Sequence, residues 1–141
     1  NKLMDRYMRE NVWFDWDLEH SAGGRVDAAQ INAVASAYFR RRVEKGYRQK
    51  GIFAFYIFNL SAVQDVKEVQ RTYEWGWVAP IFDGYGSRNQ KLAKTEEFRR
   101  LFVDWPYGIM EFESRWGSKY DGITAQDYFA AYPDALIFAS Q

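Results

Sequence analysis

The chain has 141 residues, 48% of them apolar, enough for a domain that buries a core. Lys plus Arg and Asp plus Glu both number 19, so the net charge is zero, and the one basic run, Arg40, Arg41 and Arg42, is expected on a solvated helix face rather than against nucleic acid or an anionic membrane. Cysteine is absent, which excludes disulfides and thiol chemistry, and the longest apolar run is far below a membrane span.

In chain order, Leu3, Met4, Tyr7 and Met8 fall at helical spacing over residues 2–10, with Asn11 as the stop. Residues 11–20, NVWFDWDLEH, predict a strand whose alternation puts Trp13, Asp15, Asp17 and Glu19 on one side and Val12, Phe14, Trp16 and Leu18 on the other. Residues 21–24 read as a loop. Asp27 then caps a helix, with Gln30 reaching back, and its buried stripe is Ile31, Val34, Ala35, Tyr38 and Phe39 up to a stop at Gly46. Residues 51–58 are apolar on both faces, as a central parallel strand requires.

A second capping pair, Ser61 and Gln64, leads a helix with Val63, Val66, Val69 and Tyr73 near helical spacing, and residues 77–82 form the next strand, made less regular by Pro80. A turn at Asp83, Gly84, Tyr85 and Gly86 precedes a helix over 91–103 with Leu92, Phe98, Leu101 and Phe102 inward. Residues 107–113 form a strand with Tyr107, Ile109, Glu111 and Glu113 on one face; after a loop, a short helix capped by Thr124 and closed by Pro133 leads to a last strand at 135–139. Helix and strand alternate with no two strands adjacent. That order predicts one α/β domain over 1–141, with a parallel sheet built from right-handed βαβ units.

Parallel α/β sheets bind ligands at the carboxyl ends of their strands, where Glu19, Asp83 and Glu113 each fall. Acids held about 7 Å apart along one strand face raise one another's pKa values, a condition chemistry uses and packing rarely needs. Gly23 and Gly24 lie too far past their strand to cradle a phosphate, so no nucleotide and no other cofactor is expected. Aromatic residues make up 19% of the chain, about twice the ordinary share. Trp105, Trp116 and Tyr120 are candidate sugar platforms among them. Asp127, three residues past Thr124, sits where a helix cap wants an acid, and His20 reads as a loop residue.

The segment DWDLE, Asp15 to Glu19, resembles the D-x-D-x-E core of the family 18 glycoside hydrolases, the chitinases and endo-N-acetylglucosaminidases, where it lies on the fourth strand of a TIM barrel. The resemblance implies that the later strands are the fifth to eighth. The chain would then be a fragment covering strands 4–8 of a (β/α)8 barrel, with the remainder of the barrel as its partner, since a whole barrel takes about 250 residues. It further implies Glu19 as general acid, Asp17 orienting the substrate's acetamido group and Asp15 as electrostatic support. Asp83, Tyr85, Glu111, Glu113, Trp116 and Tyr56 would be substrate contacts. The substrate would be a carbohydrate polymer or oligosaccharide rich in N-acetylhexosamine, with no metal and a secreted or cell-surface setting. Family 25 lysozymes, which carry a D-x-E at a strand end and a later order like GIFAFY and WVA, are a second resemblance. The departures are Val12 and Trp13, where the first family's motif usually has a further Asp and a Gly, Phe82 for the sixth-strand Tyr, and ALIFA without the usual Trp. Two other classes suit the same acids: a catalytically inactive glycan- or protein-binding barrel, and Mg²⁺-dependent phosphoryl transfer.

Overall fold

A computed structural model describes residues 2–17, 28–57, 68–83, 87–110 and 125–137. It is a mixed α/β structure in which most strand pairings are parallel, and it divides into two compact units, Asn1–Ala79 and Pro80–Gln141.

In the first unit the elements are α1 (Lys2–Tyr7), β1 (Phe14–Asp17), α2 (Ala28–Glu44), β2 (Gly51–Ile57), β3 (Thr72–Tyr73) and the start of β4 (Gly76–Asp83). β1 runs parallel to β2, pairing Phe14 with Phe53 through to Asp17 with Tyr56. β2 is buried from Gly51 to Tyr56, as its apolar run on both faces requires. Against it lies α2, whose buried stripe is Ala28, Ile31, Ala35, Tyr38 and Phe39. The Tyr38 ring meets Phe53 and Phe14 at 5.8 Å, and Phe14 stacks on Phe53 at 5.8 Å and 10°. The fully buried Phe53 and Phe55 each contribute roughly 1.5–3 kcal/mol of burial.

Arg42 corrects the expected solvated arginine face: Arg40 is exposed, but Arg42 is completely buried. It lies four residues past Tyr38, on the same stripe, and its guanidinium donates to Glu10 O at 2.9 Å, Gln49 O at 2.8 Å and Tyr38 Oη at 3.3 Å. The Tyr38 and Tyr47 rings flank it at 5.6 and 5.4 Å. A second correction concerns 72–76. Tyr73, expected on a helical stripe, instead lies in β3, which pairs antiparallel with β4 and so breaks the expected rule that no two strands are adjacent. The cause is Gly76, whose φ of 154° lets the chain turn back, while Tyr73 stacks on Phe39 at 4.6 Å.

The second unit holds the rest of β4, α3 (Arg88–Leu101), β5 (Gly108–Met110), α4 (Ala125–Ala131) and β6 (Leu136–Ile137). β4 runs parallel to β5 and β5 to β6. Ser87 caps α3 in a reciprocal box with Gln90, a signature the sequence carried one turn before the expected start. Leu101, expected inward, is 49% exposed, because the buried stripe of α3 runs through Lys91, Thr95, Phe98 and Phe102. Thr95 is buried without penalty, since its hydroxyl donates to Lys91 O at 2.8 Å and shares a 2.7 Å hydrogen bond with Tyr128 Oη. Phe98 packs between Phe82 at 4.6 Å and Phe102 at 4.5 Å. The expected capping residues Asp27, Ser61, Gln64 and Thr124 lie outside the described residues. Among those described, no pairing joins β6 to β1, so the parallel βα order stands while barrel closure is not part of the structure.

Two glycines test the packing in the first unit. A Cβ on Gly76 would lie 2.0 Å from Gly51 O and 2.6 Å from Phe39 Cε1, whereas one on Gly46, at φ 73°, would meet nothing within 4 Å. Gly76→Ala is expected to destabilise by about 3 kcal/mol or more. Gly46→Ala should cost only the left-handed strain, about 1 kcal/mol. Urea denaturation midpoints compare the two, and equal losses would overturn the close-packing account.

Candidate functional site

The carboxyl end of β1 is the best-placed part of the expected site. Alternation along β1 sends Phe14 toward α2 and leaves Asp15 on the opposite face, where it is exposed. Asp15 pairs in register with Ala54 and Asp17 with Tyr56, so the backbone of the second acid is level with Tyr56, near the carboxyl end of β2. Tyr56 itself is buried. Glu19, two residues beyond β1, lies outside the described residues.

In the second unit Asp83 closes β4 and pairs in register with Met110 at the end of β5. Tyr85, Glu111, Glu113 and Trp116 follow those two strand ends in sequence and lie outside the described residues, as do His20 and Tyr120. Asp15 and Asp17 are thus placed on one strand of the first unit, Asp17 as its last residue, and Asp83 is the last residue of a strand in the second. Among the described residues no group of three or more His, Asp or Glu forms a metal site.

Comparison with protein-family models, with curated proteins and with solved structures returned no match. The chemistry of the chain therefore has to be read from its own residues.

Other groups escaped the sequence reading. Glu10, just past α1, uses one carboxylate oxygen to accept the backbone N–H groups of Arg48 at 2.6 Å and Gln49 at 3.0 Å. Those two hydrogen bonds, with the charges of Arg42 and Arg48, hold its pKa below the usual carboxylate value. Its role is to tie chain segments together. Asp5 is held low in the same way, by its hydrogen bond from Arg41 at 2.6 Å.

The second unit carries a cleft of about 330 Å³ at the amino-terminal side of β5 and β6, between the end of α3, residues 102–107 and Asp134. Its floor is Tyr107, buried, whose hydroxyl donates to Asp134 Oδ1 at 3.1 Å. Arg99 reaches Asp134 at 3.6 Å and Glu96 at 3.9 Å and lies over the Tyr132 ring at 5.5 Å. Trp105 is half-buried, its ring edge-on to Phe102 at 5.4 Å. Of this group only Trp105 was singled out from sequence as a site candidate, by its aromatic type; Glu96, Arg99, Arg100 and Asp104 lie in the same stretch of chain, and Asp134 joins them from a distant one.

Burial raises the phenol pKa of Tyr107, where the Asp134 carboxylate adds to it, and of Tyr128, where the Thr95 hydrogen bond opposes it. Tyr132 is pushed up to about 12, first by burial and then by its hydrogen bond with Glu96. A phenol whose folded pKa lies above its unfolded value of 10.0 keeps its proton longer in the native state. Stability from these groups is therefore intact below pH 10 and is lost as pH rises through 12. Absorbance at 295 nm should show a group of tyrosines that ionises only as the circular dichroism signal collapses. A single transition near pH 10 with the fold intact would overturn this.

Proposed function

We propose that the protein is a glycoside hydrolase acting on glycans that contain N-acetylhexosamine, with Glu19 as its general acid. The observation that carries the proposal is the position of two of the acids: Asp15 and Asp17 lie on a strand parallel to its neighbour, Asp17 at its carboxyl end, and Glu19 follows two residues later in the sequence. Parallel strands deliver reactive groups at that end, because the loops that follow them are free to vary around a fixed sheet.

In the proposed chemistry Glu19 gives its proton to the glycosidic oxygen as the bond from that oxygen to the anomeric carbon breaks. The acetamido carbonyl oxygen of the substrate forms the new bond to that carbon, so no second carboxylate has to stand at nucleophile distance. The Glu19 carboxylate then takes a proton from the water that opens the cyclic intermediate, restoring the acid. Asp17 hydrogen-bonds the acetamido N–H and aims its carbonyl, and Asp15 supports the positive charge that develops. Asp83, Tyr85, Glu111, Glu113 and Trp116 are assigned to binding the glycan, with the rings of Tyr85 and Trp116 stacking on sugars, while Tyr56, being buried, offers no face for stacking.

The test is hydrolysis of chitooligosaccharides and of peptidoglycan by the full protein beside its Glu19→Gln variant. Cleavage that falls by about 100-fold or more in the variant is expected. The susceptible substrate then distinguishes a chitinase-like from a lysozyme-like enzyme. Cleavage untouched by Glu19→Gln would remove Glu19 from the mechanism, and glycan binding with no cleavage by either protein would replace catalysis by binding alone.

A further inference from the structure

The cleft beside Trp105 lies on the amino-terminal side of β5 and β6, whereas Asp83 closes β4 at its carboxyl end, so the cleft is separate from the strand ends to which the proposed hydrolysis is assigned. We propose that it is a separate binding site for a neutral saccharide unit, with Trp105 and Val103 as its apolar wall and Arg100 and Asp104 as its hydrogen-bonding pair. Its volume of about 330 Å³ is at the small end of small-molecule pockets.

The lining divides into groups already engaged and groups left over. Arg99, Asp134 and Tyr107 hold one another, and Glu96 shares in Arg99. Arg100 donates through Nε to Glu96 O at 3.3 Å and forms no ion pair among the described residues. Asp104 has no hydrogen-bond or ion-pair partner among them, and its backbone is held at φ 62°, a conformation a non-glycine residue adopts at some cost. Val103 is 61% exposed beside it. The cleft therefore offers a donor, an acceptor and an apolar face, and its acids and arginines roughly balance in number.

Two ligand chemistries fit a guanidinium engaged only through its Nε beside a carboxylate without a partner among the described residues: a polyhydroxylated ring and a zwitterion. Solvent access decides between them. The charged side chains of the lining are between 42% and 57% exposed where they pair, so attraction for a charged ligand is screened by water. A sugar ring loses little by that screening, because it stacks its C–H face on apolar surface while the hydroxyls take hydrogen bonds from planar charged groups.

The test is a titration of the ¹⁵N-labelled full chain in its Glu19→Gln form, so that failure of hydrolysis and failure of this site are read separately. The Trp105 indole N–H resonance is assigned by its loss in Trp105→Phe. N-acetylglucosamine or cellobiose should shift that resonance saturably, and affinity should fall at least about tenfold in Arg100→Ala and in Asp104→Asn, the latter keeping a side chain that tolerates the left-handed backbone. No shift with either sugar would overturn the proposal. So would a sugar-induced shift that neither substitution weakens, or a response to phenylalanine or inorganic phosphate in place of the sugars.

Discussion

The buried guanidinium of Arg42 is the constraint on which the first unit depends. A charge taken fully out of water is costly unless hydrogen bonds replace its hydration. Arg42 meets the condition at its two terminal nitrogens, with two main-chain carbonyls and a phenol between two tyrosine rings, while its buried Nε has no hydrogen-bond partner among the described residues. Its carbonyl partners are the residue that leads into β1, Glu10, and the residue that leads into β2, Gln49. Glu10 returns the contact by accepting the N–H groups of Arg48 and Gln49. The approaches to two parallel strands are thereby fastened together, and the register that follows, Phe14 on Phe53 to Asp17 on Tyr56, fixes how far the carboxyl end of β1 reaches.

Gly51 extends the same constraint to β4. A side chain there would fall 2.6 Å from Arg42 Nε and 2.9 Å from Tyr38 Oη, so β2 begins at a residue with none. The space thus kept lets Gly51 donate to Trp75 O at 2.8 Å and lets Gly76 close over it, which turns β3 back along β4. One buried cation in this way sets the starts of β1 and β2 and the hairpin beside them.

Periodicity made most of the helices and strands legible, since a helical stripe and an apolar run each report a face that must be covered. Ile31, Ala35, Tyr38 and Phe39 were read correctly for that reason, and so was the burial of β2. What periodicity hid was polar residues on buried stripes. Arg42 continues the spacing of Ala35 and Tyr38, and Lys91 and Thr95 that of Phe98 and Phe102, so position pointed inward while residue type pointed outward. Spacing was the better guide, because long side chains and hydroxyls can be buried when backbone or phenol partners lie within reach. The β3 turn was missed because two residues carry no period and their placement rests on a glycine conformation. Of the expected site, Asp15 and Asp17 fall on a strand as their alternation required, Tyr56 on the strand its apolar run required, and Asp83, read in a turn, is the last residue of β4. The cleft beside Trp105 was not legible, since the stretch 96–107 carries no motif and Asp134 reaches it only through tertiary packing.

The exposure of Asp15 bears on how an acid at Glu19 would be tuned. Two unit charges about 7 Å apart in water interact by about 0.6 kcal/mol. That is less than half of one pKa unit, which takes about 1.4 kcal/mol. Asp15 stands open to water, so charge repulsion from it is too weak to bring a neighbouring acid into the neutral range. A general acid active near neutral pH needs its carboxyl desolvated, as burial shifts pKa values by several units where screened charges do not. A glycan lying across the carboxyl ends of the strands would supply that burial by expelling water as it binds. In the hydrolysis proposed above, the row of acids would orient the substrate and answer its developing charge, while the bound substrate would hold the proton on the general acid until it is needed.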